Sequence, residues 1–153
     1  MAVAEFEISS RLAAPAAEVW DRVTTAEGVN AELMPLVRMT IPRGRGDFSI
    51  ADIEDGTTIG RSWILLFGLI PIDYDDITLI ALEPGRGFHE RSRMLTMRVW
   101  EHERTLEPDG DSATRVRDRL SFEPRLPGSG PLAERIIRAT FRHRHRRLRR
   151  RFG

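Results

Sequence analysis

Three side chains on one predicted hairpin carry the chemistry this sequence is best equipped to do: His102, Arg104 and Asp118. Residues 96–107 and 113–123 read as two strands joined by the turn sequence Pro108-Asp109-Gly110-Asp111. In the second strand Arg115, Arg117, Arg119, Ser121 and Glu123 share one face, and Thr114, Val116, Asp118, Leu120 and Phe122 the other. The charged face belongs to solvent and the apolar face to the interior. In the first strand Val99, Glu101, Glu103 and Thr105 look outward, which turns Arg98, Trp100, His102, Arg104 and Leu106 inward. A turn centred near Gly110 pairs residues whose numbers sum to about 220, so that His102 faces Asp118, Arg104 faces Val116 and Trp100 faces Leu120. A register error of two would leave every residue on its face.

An interior histidine, carboxylate and arginine admit two readings. In one they are a satisfied polar network tying sheet to helix, since buried charges must be paired. In the other they line a cavity, where they hold a ligand's polar head, or His102 acts as acid and base while Asp118 fixes its tautomer. The remaining candidates are weaker. His143 and His145 are two apart and point to different sides of a helix, so they make no metal pair. His89 and Glu90 are neighbours on a strand and face opposite ways. Asp73, Asp75 and Asp76 lack the spacing and glycine of a calcium loop. The chain has no cysteine, no phosphate-binding glycine loop and no nucleophile elbow, so thiol, disulfide and cysteine-zinc chemistry are excluded and no metal or cofactor is expected.

The elements that must position these groups are legible from periodicity. Residues 3–12 alternate as a strand with Val3, Phe6, Ile8 and Leu12 apolar. Pro15 opens a helix carrying Val19, Trp20 and Val23 at helical spacing; Gly28 and Asn30 end it, and a second short helix is expected over residues 30–35. Residues 37–54, with Pro42, Gly44 and Gly46, read as a loop between two strands; its Arg45-Gly46-Asp47 matches an adhesion tripeptide by chance in a polar loop. Strands follow over 57–68, 72–83 and 87–94, separated by turns at Pro71-Ile72-Asp73 and Pro84-Gly85-Arg86-Gly87. The stretch Pro127-Gly128-Ser129-Gly130-Pro131 opens a final helix over about 131–151, with Ile137, Phe141, His145 and Leu148 as its buried stripe. One strand, two small helices, several antiparallel strands and a long helix make an α+β architecture of one curved sheet around the last helix.

At 153 residues and 41% apolar, the chain has the material for one domain, 1–153, with a packed core. The longest apolar run, Trp63 to Ile72, is broken by Gly68 and Pro71 and is too short to span a bilayer. With no signal-peptide pattern, a cytoplasmic location is the default expectation. The net charge of +1 conceals an imbalance: residues 131–153 hold nine arginines against the single acid Glu134. Such a helix end could meet an anionic surface, but the arginines lie on most sides of it and no aromatic residues interleave for stacking, so nucleic acid is not the expected partner. Basic charge there also complements the helix dipole.

The segment Phe6-Glu-Ile-Ser-Ser-Arg-Leu-Ala-Ala-Pro15-Ala-Ala-Glu-Val-Trp20 resembles the first strand and helix of START-like proteins. The blocks Trp100-Glu-His102, Thr114-Arg-Val-Arg-Asp118-Arg-Leu120-Ser-Phe122-Glu-Pro124, Gly130 and Phe141-Arg-His-Arg-His are similar to the C-terminal half of bacterial members of that SRPBCC, or polyketide cyclase-type, superfamily. The resemblance implies a helix-grip fold, with about seven antiparallel strands around the last helix and an apolar cavity between them. It implies binding of a small apolar molecule such as a lipid or polyketide, by a monomer or homodimer. The alternative it carries is a cyclase or aromatase using His102 and Asp118. Expected ligand contacts are Met34, Trp63, Leu65, Phe67, Tyr74, Arg98, Trp100, His102, Arg104, Asp118, Ile137 and Phe141. Trp63, Leu65 and Phe67 enter as an alternating face of their strand.

Overall fold

The computed structural model describes residues 3–44 and 49–153; the Arg45-Gly46-Asp47 tripeptide lies outside the described residues. The elements run β1 (Ala4–Leu12), α1 (Ala16–Val23), α2 (Ala26–Leu33), β2 (Val37–Met39), a single 3-10 turn (Ile50–Asp52), β3 (Thr58–Leu66), β4 (Ile70–Glu83), β5 (Gly87–Met94), β6 (Met97–Pro108), β7 (Thr114–Pro124) and α3 (Gly130–Phe152). The strands form one seven-stranded antiparallel sheet in the order β1-β7-β6-β5-β4-β3-β2, curled into a half-barrel around α3. This is the expected helix-grip arrangement, including two short helices after the first strand.

Local chemistry explains the boundaries. Pro15 caps α1 in extended conformation, and Val19, Trp20 and Val23 form its buried face. The break between the helices falls at Thr24-Thr25, not at Gly28 and Asn30 as the residue types suggested. Thr25 is extended and its hydroxyl accepts the Gly28 N–H, a strong N-cap, so α2 begins at Ala26 and carries both Gly28 and Asn30 inside it. Asn30 holds β2 in place by donating to the Met39 carbonyl and accepting the Met39 N–H. Gly28 is needed for space: a Cβ there would run into the Arg22 carbonyl oxygen at the end of α1. Gly28→Ala is therefore expected to cost about 1–3 kcal/mol in a urea melt, the usual price of overpacking a close backbone approach.

The β3–β4 turn is formed by Phe67, Gly68 and Leu69, with Phe67 and Gly68 at positive φ. The expected turn at Pro71-Ile72-Asp73 is instead the start of β4. Proline is tolerated there because Pro71 pairs with Leu65 at a bulge and β5 reaches only as far as Asp75, leaving that end of β4 with one neighbour.

Two apolar clusters flank a polar layer. One joins α1 and the end of α3 to the sheet through residues such as Val19, Leu79, Phe88, Val116, Leu148 and Phe152. The other joins Phe6, Leu120 and Phe122 to Ile137 and Phe141. Between Val116 and Leu120 on β7 lies Asp118; between Phe141 and Leu148 on α3 lie Arg144 and His145, all three buried. Among the described residues, no helix is long and apolar enough to cross a membrane.

Candidate functional site

Residues of β6 and β7 meet in a register two residues beyond the expected one: Arg104 opposes Asp118, His102 opposes Leu120 and Trp100 opposes Phe122. The loop is longer than a tight turn, closed by the Asp109 N–H on the Ala113 carbonyl, and this moves the pairing. Faces are unchanged, so His102 still reaches Asp118, with Nε2 to Oδ1 at 2.7 Å.

Asp118 has no exposure, and both its oxygens are taken. Arg104 donates to Oδ1 from Nε (2.7 Å) and to Oδ2 from Nη2 (2.8 Å), and His145 Nε2 lies 2.7 Å from Oδ2. The other side of Arg104 makes two bonds to Glu32 of α2, at 2.8 and 2.9 Å, and Arg144 adds a third at 3.0 Å. His145 Nδ1 meets the Ser10 hydroxyl, which itself accepts from Arg149. The network joins β1, α2, β6, β7 and α3.

Its electrostatics are self-consistent. Burial alone would raise the Asp118 pKa, but the Arg104 charge and hydrogen bonds hold it well below the usual carboxylate range. Burial likewise opposes ionisation of Glu32, and Arg104 and Arg144 outweigh it. For His102 burial disfavours the imidazolium, yet Asp118 and then Glu90 raise its pKa above the ordinary value. Glu90 Oε1 is 3.5 Å from His102 Nδ1.

Beside this layer a cleft of about 610 Å³ opens between α3, α2 and strands β3 to β6. Its walls are mostly apolar, among them Leu33, Ile64, Ile77, Phe88, Trp100 and Ile137. Exposed apolar side chains stand at its rim: Ile41, Ile72, Leu95, Leu126, Leu132 and Ile136. Polar groups are concentrated on the sheet side, where Asp73, Asp75, Glu90 and His102 line it. Asp73 is satisfied by the N–H groups of Tyr74 and Leu95 and by the Thr96 hydroxyl. Asp75 is buried, and its Oδ1 has no hydrogen-bond partner; nor does the Ser92 hydroxyl. Burial foremost, together with the charges of Glu90 and Asp73, pushes the Asp75 carboxyl up to about 7.

Of the residues expected from sequence, Trp100, His102, Ile137 and Phe141 line this cleft. Arg104 and Asp118 lie in the packed network outside its lining. Arg98 is exposed, because a bulge between Met97 and Val99 puts Met97, not Arg98, on the same face as Trp100. Trp63, Leu65, Phe67 and Tyr74 do not line it. Trp63 pairs with Tyr74 on the outer face, the rings edge-on at 5.8 Å, with the Arg61 guanidinium 3.9 Å over the Tyr74 ring and bonded to Asp76. The inner face of β3 is that of Ser62 and Ile64. Met34 lies outside the lining too, against Gly68, with its carbonyl accepting from His143. The overlooked signal was on β4: Asp73 and Asp75 share a two-residue period with Ile77 and Leu79, so an inward apolar face was readable with two carboxylates on it.

The arginine-rich end of α3 is partly engaged. Arg138 binds Glu134, Arg144 binds Glu32, Arg147 binds the Ala31 carbonyl and Arg149 binds Ser10.

Sheet order and helix placement define a START-like helix-grip fold, and solved structures agree. A START superfamily protein from Mycobacterium smegmatis superposes with a TM-score of 0.69 at 14% identity, over 97% of this chain and 96% of that one. The Zhui aromatase/cyclase from Streptomyces sp. R1128 gives 0.67 at 14% identity, over 96% and 92%. Norcoclaurine synthase from Thalictrum flavum, solved with dopamine and hydroxybenzaldehyde, gives 0.65 at 12% identity, over 97% and 86%. At such identities the likeness is one of fold. The chain itself belongs to the family described as a domain of unknown function, DUF8410, whose model matches residues 10–152. No curated protein matches it.

Proposed function

We propose that this protein binds a small hydrophobic or amphipathic molecule in the cleft between the sheet and α3. The observation that carries the reading is the cleft itself: about 610 Å³, apolar-walled, in a fold whose network and two cores are otherwise closely packed. That volume suits a ligand of drug-like size. The exposed apolar rim supports it, since side chains such as Leu132 and Ile136 gain by being covered. The START superfamily likeness is in keeping with it.

Native mass spectrometry of freshly purified protein, with analysis of small molecules released on denaturation, tests the reading directly. A stoichiometric apolar adduct is expected. In parallel, the neutral dye N-phenyl-1-naphthylamine should bind with one-to-one stoichiometry and enhanced fluorescence. Ala133→Trp, which puts an indole into the cleft from α3, should weaken that binding at least tenfold. An unadducted mass together with no dye uptake, or dye uptake indifferent to Ala133→Trp, would sink the proposal.

A catalytic reading has one observation behind it. His102 is a cleft-lining acid oriented by Asp118, with Phe88 and Phe141 edge-on to its ring at 6.0 and 5.3 Å. A cyclase- or aromatase-like role would rest on His102, with Asp118 as a positioning residue enclosed behind it.

A further inference from the structure

The walls of the cleft are mostly apolar, and its carboxylates are gathered on the sheet side, in Asp73, Asp75 and Glu90. Asp75 from β4 is buried, lines the cleft, and leaves Oδ1 without a partner. On β5 the buried Ser92 is paired with Ile77 and lies outside the lining, while Glu90 lines the same wall as Asp75. An unsatisfied carboxylate in an apolar site costs stability unless something fills its valence.

The charges facing Asp75 from each packed element can be followed. β6 contributes His102, which Asp118 and Glu90 already share. α3 contributes Arg144, which is turned to Glu32. The segment after β7 contributes Arg125, whose Nε donates to the Met94 carbonyl. β4 adds Asp73, another carboxylate. Arg104, Arg144 and His102 are paired with Glu32, Asp118 and Glu90, and Arg125 is turned to a carbonyl, so among the described residues no cationic side chain is bonded to Asp75. A metal ion is a poor answer: among the described residues no three histidines or carboxylates are grouped to hold one. The wall around Asp75 is built of Ile64, Ile77 and Met94, so the missing cation must arrive on an apolar body.

We propose that the cleft is specific for an amphipathic amine, whose ammonium group is held by Asp75, with Glu90 beside it, while its hydrocarbon part lies against Ile77, Ile64 and Ile137. This rests on the cleft being a binding site at all, and it names the chemical class of the ligand. An ammonium offers three donors, one of which the unpartnered Asp75 Oδ1 can accept. A carboxylate-bearing ligand would meet Asp75, Asp73 and Glu90 as like charges and is excluded from this end.

The test is competition against N-phenyl-1-naphthylamine by decylamine, decanol and decanoate, which share one chain and differ in the head. In the wild-type protein at pH 8, decylamine is expected to displace the dye at least tenfold better than decanol, and decanoate worst. The preference is read as a ratio of midpoints in each protein, so a change in dye affinity cancels. In Asp75→Asn the ratio should fall to within about threefold of unity. Decylamine stays charged throughout, so its affinity should rise from pH 6 to pH 8 as Asp75 gives up its proton; His102 also titrates above 6.5 in this cleft, so the part of the rise that disappears in Asp75→Asn is the part that belongs to Asp75. Dye uptake with equal displacement by amine and alcohol, or an amine preference that survives Asp75→Asn, would overturn the assignment and leave the cleft a generic apolar site. If no dye binds the wild-type protein, the binding reading itself fails, which is a different result.

Discussion

Asp118→Asn is expected to remove about 3–5 kcal/mol of unfolding free energy near pH 6, although it changes one atom and leaves the shape intact. The side chain is completely enclosed and receives Arg104, His102 and His145 on its two oxygens. Neutralising it strands the Arg104 guanidinium with half its partners and gives the two imidazoles an amide where they need a charge. The pH dependence follows from the directions of the shifts. Asp118 and Glu32 are depressed from 3.8 and 4.5, so their contribution is present above those values and is lost as pH falls through the folded-state values. His102 is raised from 6.5, so its contribution is full below 6.5 and is lost as pH rises through its folded value. The network is therefore strongest between about pH 4.5 and 6.5. Urea melts of both proteins across that range check it; a loss under about 1 kcal/mol would mean that water reaches the network.

The second large effect has the opposite sign. Asp75→Asn should make the protein more stable at pH 8, by up to about 4 kcal/mol. In the folded protein burial holds the Asp75 carboxyl at about 7, against 3.8 for the free side chain. Between those values the folded state keeps a proton that the unfolded chain releases. Wild-type stability from this group thus declines as pH climbs from about 4 to about 7 and is level beyond. Asparagine does not titrate, so the two proteins should agree near pH 4 and diverge toward pH 8. Parallel curves would show that Asp75 is solvated. A site residue whose removal stabilises the fold is the ordinary signature of function placed at odds with stability.

Both effects concern carboxylates, and the sequence revealed them unequally. Asp118 was readable because it interrupts a clean alternation, with Val116 and Leu120 on either side, opposite an equally clean partner strand. The network's second histidine and its second acid were not joined to it: His145 was legible only as part of the buried stripe of the last helix, and Glu32 comes from a helix whose start was misplaced by Gly28. Asp75 was passed over because it was weighed only as a calcium ligand beside Asp73 and Asp76, whereas its meaning lay in sharing a face with Ile77 and Leu79. The wrong face of β3 has a similar origin. Trp63 and Phe67 are the largest apolar side chains there, and size argued for burial, yet they are 44% and 61% exposed. Arg61 stacked on Tyr74 gives the outer face of that hairpin its own aromatic cluster. The bulges at Leu65 and Arg98 carry no residue-level warning, whereas the one at Gly60 is marked by a glycine inside a strand, and each changes which side chains look inward.

The order of elements along the chain also bears on how the protein comes to be made. The helix that closes the half-barrel is the last of them, and Arg144, His145 and the Phe152 carbonyl that receives Ala13 reach back to partners more than a hundred residues earlier. During synthesis the concave face of the sheet is thus complete before its cover exists, with Leu120, Phe122 and Phe88 bare and Asp118 still short of a donor. The nascent domain has to wait in that state, prone to sticking to its neighbours, until α3 has emerged from the ribosome. Folding of this protein is in that sense a single late event, and its yield in a cell should depend on what shields the open sheet in the interval.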